Sequence, residues 1–133
     1  IYSPEKKVIA GIHSGWKGTE YKISRKVVQR MVNEYGVNPA ELAAFVGPGI
    51  SVENYEVSKE VAEKFPASSY KTDNGKYYLD LKKDIYEQLK SAGLKEENIE
   101  VSSHCTFRDK DIFHSHRREK GLTGRMFGVI GMK

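Results

Sequence analysis

Histidine, tryptophan and lysine stand close together near the start of the chain, in the segment His-Ser-Gly-Trp-Lys-Gly-Thr at positions 13–19. The apolar run at residues 8–12 comes directly before it and predicts a buried strand. A histidine at a strand end is held by the sheet while its ring faces solvent or a cleft, which suits a metal ligand or an acid/base group. His13 is therefore a candidate catalytic residue and metal ligand, and a hydrogen-bonded structural histidine is the alternative.

The neighbours of His13 favour a binding role. Gly15 and Gly18 allow another molecule to approach the backbone closely. Thr19 is a good helix N-cap, and the free N–H groups of a helix N-terminus attract anions. Trp16 is either a core residue or a stacking wall for a flat ligand.

A second group of reactive side chains lies near the C-terminus. Cys105 is either an inert buried thiol or, beside His104, an activated thiolate or metal ligand. The sequence His114-Ser115-His116 would place both imidazoles on one face of a strand, where they could chelate zinc or copper.

Three arginines form a compact cationic loop in the same region, namely Arg117, Arg118 and Arg125, with glycines at 121 and 124. The planar guanidinium fork suits phosphate or carboxylate. Surface charge around a turn is the equally weighted alternative.

Helices and strands must position these groups, and the pattern mixes both. Apolar stripes predict a helix from Thr19 to a stop at Gly36, a second helix capped by Ser58 and carrying Phe65, and a third capped by Asp80. Asp-Asn-Gly at 73–75 predicts a turn. Strands are predicted at 43–46, 77–79, 99–101 and 125–132. The expected fold class is α/β or α+β: a layered sandwich with a mixed sheet flanked by helices.

Length and composition set the broad class. A chain of 133 residues is long enough for one domain with one core. Hydrophobic residues make up 38% and charged residues 30%, which predicts a soluble globular protein. No apolar run approaches the roughly 20 residues that span a bilayer, and the start of the chain has no signal-peptide pattern. The single cysteine excludes an internal disulfide and fits a reducing cytosol.

The net charge of the chain does not identify the class of molecule that it binds. The formal net charge is +4, but the lysines are scattered, which gives little support to nucleic-acid binding and fits a basic cleft for an anionic small molecule equally well. The chain does not begin with methionine and its first strand starts almost at once, so we expect it to be a piece of something longer.

Three motifs together resemble the YfiH/laccase-domain (polyphenol oxidase) family. Positions 13–19 match its His-(Ala/Ser)-Gly-Trp-(Arg/Lys)-Gly-Thr signature. Gly-Pro-Gly-Ile at 47–50 with Tyr-Glu-Val at 55–57 resembles its Gly-Pro-x-Ile…Tyr-Glu-Val loop. Residues 105–126 resemble its stretch from Cys-Thr through Ser-(Tyr/His)-Arg-Arg to Thr-Gly-Arg-Met. The motifs occur in the family order and extend over the whole chain.

The resemblance implies a cytoplasmic, zinc-dependent purine nucleoside phosphorylase that converts adenosine, inosine, guanosine and methylthioadenosine to the free base and ribose 1-phosphate, and that also deaminates adenosine. It implies a single domain at residues 1–133 that is the C-terminal portion of a longer YfiH-like domain. The alternatives are a copper-dependent, laccase-like polyphenol oxidase and a non-catalytic anion-binding domain. One cysteine and four histidines are too few for a set of copper centres.

The resemblance also assigns site residues. It implies His13 as one zinc ligand, while the second histidine and the cysteine ligand lie upstream, in a missing N-terminal segment or companion fragment. Cys105 matches a different family cysteine. We expect His13 and Lys17 to be catalytic, with purine nucleoside and phosphate as partners and neither nucleic acid nor membrane. The expected substrate-binding residues are Trp16, Gly18, Tyr55, Arg117, Arg118 and Arg125.

Overall fold

The computed structural model describes residues 1–132, and the chain divides into two compact units. Unit 1 contains Ile1–Val46, Ile85–Val101 and the chain from Gly128 onward. Unit 2 contains Gly47–Asp84 and Ser102–Phe127. Helices and strands alternate along the chain, which confirms the mixed α/β class. No helix within residues 1–132 is both long and apolar enough to cross a membrane.

The described strands are short, and the helices are of mixed length. The strands are β1 (Tyr2–Ser3), β2 (Val8–Ile9), β3 (Ala44–Val46), β4 (Glu56–Val57), β5 (Tyr70–Asp73), β6 (Lys76–Leu79) and β7 (Ile99–Val101). The helices are α1 (Trp16–Glu20), α2 (Ile23–Tyr35), α3 (Lys59–Ala62) and α4 (Leu81–Ser91).

Unit 1 contains two small sheets. Strands β1 and β2 pair antiparallel, and β3 and β7 pair parallel. The backbones of Tyr2 and Ala43, the residue before β3, exchange two hydrogen bonds of 2.8 and 2.9 Å, and this isolated bridge links the two pairs. The predicted mixture of parallel and antiparallel pairing is therefore present, but as small sheets.

The core of unit 1 lies between these strands and the helices. Along residues 41–46 buried and exposed side chains alternate strictly, so one face of β3 points into the core. Helices α2 and α4 cover that face. Each fully buried aliphatic side chain stabilises the fold by about 1.5–3 kcal/mol, so sheet and helices depend on each other. The core residues are Val28, Met31, Val37, Leu42, Ala44, Val46, Leu89, Leu94 and Ile99.

The first predicted helix is divided in two, and its predicted cap is wrong. Gly15 is the N-cap of α1, and Thr19 lies inside that helix. Lys22 adopts a left-handed conformation with φ of 58° and separates α1 from α2. The Thr19 hydroxyl bonds back to the Gly15 carbonyl instead of capping N–H groups ahead of it. The predicted end of α2 is confirmed, because Gly36 has φ of 63°.

Unit 2 is built around the antiparallel sheet β4-β6-β5. Asn74 and Gly75, with φ of 48° and 77°, form the predicted turn between β5 and β6, where two positive φ values match the twist of a hairpin. Leu79 is fully buried on β6. The Asp80 side chain accepts a hydrogen bond of 3.0 Å from the Lys83 N–H, which confirms the predicted cap of α4.

Three element bounds differ from the predictions. The first buried strand is confined to β2 and does not extend to Ile12. The helix after Ser58 ends at Ala62, so Phe65 lies beyond it. The strand predicted at 125–132 is wrong for the described residues, none of which pairs with that segment as a strand. A strand exists only where a neighbour takes up its backbone hydrogen bonds, and sequence pattern cannot supply that neighbour.

We expect Gly93→Ala to lower the free energy of unfolding by about 1–3 kcal/mol. Gly93 has φ of 103°, and a Cβ atom there would lie 3.0 Å from the Pro39 Cβ. The matched control is Gly128→Ala, since a Cβ at Gly128 meets nothing within 4 Å. Urea unfolding followed by circular dichroism measures both variants. Equal stability of the two would contradict the strained turn.

Candidate functional site

A cavity of about 260 Å³ opens in unit 1 at the segment that follows β2. Its lining contains four of the residues that the sequence singles out as catalytic or binding, together with one glycine of the same motif. Extended chain passes into α1 at Gly15, and residues on both sides of this junction line the cavity. The lining residues are His13, Gly15, Trp16, Lys17 and Gly18.

The His13 imidazole is exposed and free to bind a ligand. No residue of the described chain hydrogen-bonds the ring. A Cβ at Gly15 would lie 3.4 Å from its Nε2 atom, and a Cβ at Gly18 would lie 3.4 Å from the Ile23 side chain. A side chain at position 15 would therefore contact the ring, whereas one at position 18 would contact Ile23. An imidazole with an unused nitrogen is the commonest metal ligand in proteins.

Thr19 holds the cavity segment in place. It is fully buried, and its Oγ1 donates to the Gly15 carbonyl at 2.9 Å or the Ser14 carbonyl at 3.2 Å. The Ser14 hydroxyl lies 2.9 Å from the same oxygen. Gln88 on α4 donates to the Thr19 carbonyl at 2.8 Å in the interior. Sequence analysis missed Gln88, since its role depends on a contact 69 residues apart.

Trp16 and Lys17 form one wall of the cavity. The Lys17 Nζ lies 5.5 Å from the centre of the Trp16 ring, a cation–π geometry. Trp16 is half-buried, so it packs against the protein and also presents surface to the cavity. The wall therefore combines a flat aromatic face with a positive charge.

Residues 1–132 contain no group of three or more His, Cys, Asp or Glu side chains placed to hold a metal ion. A zinc site ordinarily takes at least three protein ligands, of which His13 could supply one. The strand that would place the His114 and His116 imidazoles on one face is not present, because His114 lies in irregular chain and His116 in a turn. Their rings lie instead against the glycines of the following loop.

Tyr55 and Arg117 come together in unit 2. The Arg117 guanidinium lies 5.2 Å from the centre of the Tyr55 ring and donates to the Glu56 carbonyl at 2.7 Å. Burial raises the pKa of Tyr55 above its ordinary value, and the positive charge of Arg117 partly opposes that shift. Arg117 is otherwise exposed, so part of its guanidinium remains available to an anion.

Arg118 is used differently. Its Nη1 donates to the carbonyls of Thr106 and Phe107, both at 2.8 Å, and its Nη2 donates to the Phe113 carbonyl at 2.7 Å. It also pairs with Glu119. These contacts tie together three points of the loop between residues 106 and 119. Arg125 is exposed and donates only within its own loop, to the carbonyls at 123 and 124.

Cys105 is fully buried and its sulfur is surrounded by donors. The Ser51 hydroxyl and N–H lie 3.1 and 3.3 Å from Sγ, and the Arg108 N–H lies 3.4 Å away. Burial raises the pKa of the thiol, but the hydrogen bonds from Ser51, Arg108 and Phe107 outweigh burial and lower it to about 7. Cys105 is thus a buried thiol whose pKa is lowered by the donors around its sulfur.

Asp109 organises the turn after Cys105. Arg108 Nε lies 2.8 Å from one carboxylate oxygen, while His104 Nδ1 and the Cys105 N–H each lie 3.0 Å from the other. The bonds from Arg108, His104 and Cys105 hold the pKa of the carboxyl far below its ordinary value. Sequence analysis missed Asp109, although aspartate is one of the residues favoured in turns because its side chain bonds nearby backbone N–H groups.

This is a mixed α/β protein with a cavity lined by a segment that carries a histidine, a tryptophan and a lysine. The family described as multi-copper polyphenol oxidoreductase laccase matches residues 1–133. The chain belongs to this family, which confirms the resemblance stated from the motifs.

Relatives and solved structures agree with this assignment. The chain is 38% identical to purine nucleoside phosphorylase YlmD of Bacillus subtilis, covering 100% of this chain and 50% of the relative. It is 41% identical to a purine nucleoside phosphorylase of Deinococcus radiodurans, covering 99% and 52%. The crystal structure of hypothetical protein YfiH from Bacillus licheniformis matches with a TM-score of 0.88 and 36% identity, over 92% of this chain and 49% of that one. The chain therefore spans about half the length of the relatives it matches.

We expect the Cys105 thiol to make stability depend on pH. Its pKa is about 7 in the folded protein against an ordinary value of 9.0, so the unfolded chain binds more protons between these pH values. The free energy of unfolding must therefore rise from pH 7 to pH 9 through this group, and the contribution is lost as pH falls through about 7.

Urea unfolding at a series of pH values measures this effect, with Cys105→Ala as the control that retains every other titrating group. The unmodified chain should gain stability relative to the variant as pH rises. Parallel pH profiles would show that the thiol has an ordinary pKa.

Proposed function

We propose that this chain is part of a zinc-dependent, cytoplasmic purine nucleoside phosphorylase, with His13 as a metal ligand. The observation that carries the proposal is the cavity in which a free imidazole, an aromatic wall and a lysine meet. The names of the relatives, purine nucleoside phosphorylases that are 38% and 41% identical, support the same activity. Because the chain spans about half of those relatives, the complete activity belongs to a longer chain or to an assembly.

The cavity residues have distinct proposed roles. The flat face of Trp16 stacks on a purine base, since aromatic faces bind flat rings. Lys17 presents positive charge to an anionic group, and Gly18 lets the substrate approach the backbone. His13 holds the metal through its unused ring nitrogen. Zinc, when bound, would acidify a water for attack on the purine carbon that carries the amine, which is the deamination of adenosine.

Phosphate is the second proposed substrate, and the arginines differ in their ability to bind it. Arg117 lies over the Tyr55 ring, donates one hydrogen bond to the Glu56 carbonyl and is exposed. A guanidinium held this way keeps free N–H groups for a phosphate oxygen. Arg118 already donates to three carbonyls, so we propose that it shapes the loop more than it contacts phosphate. Arg125 remains a third candidate.

A companion half completes the proposed site. A zinc centre with an open position needs three protein ligands, and His13 is one. We propose that a second histidine and a cysteine come from the N-terminal segment that the relatives carry, or from a companion fragment. The proposed nucleosides are adenosine, inosine, guanosine and methylthioadenosine. The family description favours a second candidate, copper-dependent oxidation of phenols.

We expect the complete protein, incubated with adenosine and inorganic phosphate, to form adenine and ribose 1-phosphate, and inosine by deamination. His13→Ala should remove about one zinc per site, measured by elemental analysis, and should abolish both the phosphorolysis and the deamination. His104→Asn is the matched control, because that imidazole bonds Asp109 outside the cavity. Phenol oxidation with bound copper and no nucleoside products would favour the second candidate. A species of 15.1 kDa that turns over nucleoside alone would contradict the need for a companion half.

We expect alanine substitutions of Arg117 and of Arg118 to have different effects on phosphate binding and on stability. Arg117→Ala removes a charge-assisted contact of about 1.5–3 kcal/mol, so the KM for phosphate should rise about tenfold or more with stability nearly unchanged. Arg118→Ala leaves buried carbonyls without donors and should lower the free energy of unfolding by about 1–3 kcal/mol. Arg117→Lys should restore part of the phosphate affinity. A rise in the KM for phosphate with Arg118→Ala alone would reverse the two assignments.

A further inference from the structure

The outer side of helix α2 in unit 1 carries positive charge without negative charge. Between Tyr21 and Asn33 the sequence contains four basic residues and neither aspartate nor glutamate. The apolar side of α2, which includes Val28 and Met31, is buried in the core of unit 1. The basic side chains at positions 25, 26 and 30 are exposed, so they lie together on the opposite side of the helix.

An exposed aromatic ring lies among these cations. Tyr21 is 65% exposed, and the Lys26 Nζ lies 6.0 Å from the centre of its ring. The Tyr21 N–H donates to the Lys17 carbonyl at 3.0 Å, so Tyr21 lies one helical turn beyond the lysine of the cavity. We call the set Tyr21, Arg25, Lys26 and Arg30 the basic face.

The cations at the start of α2 do not stabilise the helix. The N-terminal end of a helix carries a partial positive charge and favours acidic side chains, but the first turn of α2 has none and contains Arg25 and Lys26. Within residues 1–132, neither Arg25 nor Lys26 pairs with a carboxylate, and only Arg30 pairs with Glu34, at 2.8 Å. Concentrated positive charge of this kind creates a potential that attracts anions.

The exposed ring selects among the anionic partners that would fit this charge. Single-stranded nucleic acid offers phosphates to lysine and arginine, and its unpaired bases stack on exposed aromatic side chains. A duplex offers phosphates but keeps its bases stacked inside, so the Tyr21 ring would contribute nothing to binding it. A membrane surface requires an apolar helix face, and that face of α2 is buried in the core.

We propose that the basic face binds single-stranded nucleic acid, with Arg25, Lys26 and Arg30 on phosphates and Tyr21 stacked on a base. The sequence shows scattered lysines and predicts no nucleic-acid partner, whereas the fold gathers these cations on one side of a helix. This inference does not depend on zinc, on His13 or on the phosphorolysis.

Fluorescence anisotropy of a labelled oligodeoxythymidylate of about 16 nucleotides tests the basic face on the complete protein, in chelator and without phosphate. Three phosphate contacts predict that log K falls with log salt concentration with a slope of about −2. Arg25→Ala and Lys26→Ala should each make that slope shallower by about 0.7 and weaken binding about fivefold in roughly 0.1 M salt. Tyr21→Ala should weaken binding about fivefold or more without changing the slope, while Tyr21→Phe should bind normally.

Lys83→Ala is the matched control, because Lys83 is an exposed lysine on helix α4 and its loss changes the net charge by the same amount. It should leave binding unchanged. Absence of binding, or equal weakening by Lys83→Ala, would overturn the proposal. Equally tight binding of a duplex of the same length, or equal competition by polyglutamate, would also overturn it, because neither uses the Tyr21 ring. Oligonucleotide binding without nucleoside turnover in zinc and phosphate would remove the proposed function and leave the basic face standing.

Discussion

The buried hydroxyl of Thr19 is the constraint on which the candidate site depends. The segment at 13–19 contains two glycines, whose backbone has many accessible conformations and a large entropy to lose. The Thr19 hydroxyl selects one of them by donating to the carbonyl of Gly15 or of Ser14, and Gln88 on α4 holds the Thr19 carbonyl by a hydrogen bond. The glycine-containing segment is thus held in one conformation by hydrogen bonds from buried side chains. The imidazole and the lysine can remain exposed because a residue that never contacts solvent orders their backbone.

In unit 2, the number of hydrogen bonds already made within the protein determines which polar groups can still bind a ligand. Arg117 and Arg118 have the same side chain. The Arg118 guanidinium donates to several backbone carbonyls, whereas the Arg117 guanidinium donates to one and retains most of its N–H groups for a ligand. Cys105 shows the converse case, an acceptor surrounded by donors, so its pKa falls although burial alone would raise it. What such a group can bind follows from the donors and acceptors left over after folding, and not from its residue type.

Sequence could predict the features that depend on local chemistry. The Asn-Gly turn, the cap at Asp80 and the stop at Gly36 each follow from a few neighbouring residues, and each is confirmed. The cavity residues at 13–18 were identified from one contiguous motif for the same reason. Features set by distant contacts escaped prediction. Gln88 and Asp109 were missed, the Thr19 hydroxyl turned out to bond backward, and residues 125–132 lack the neighbour that would make them a strand.

Zinc binding at the proposed metal site and association with the proposed companion half are thermodynamically linked. A single exposed imidazole binds zinc weakly, because most of the free energy of a structural zinc site comes from several ligands acting on one ion. Where those ligands are divided between two pieces of chain, the ion binds the docked state far better than the separate pieces. Zinc must then raise the affinity between the two pieces by the same factor by which their association raises the affinity for zinc. The reason is that the coupling of two binding equilibria is reciprocal. A bound metal would therefore favour the one arrangement of the two pieces in which His13 and the proposed partner ligands reach the same ion.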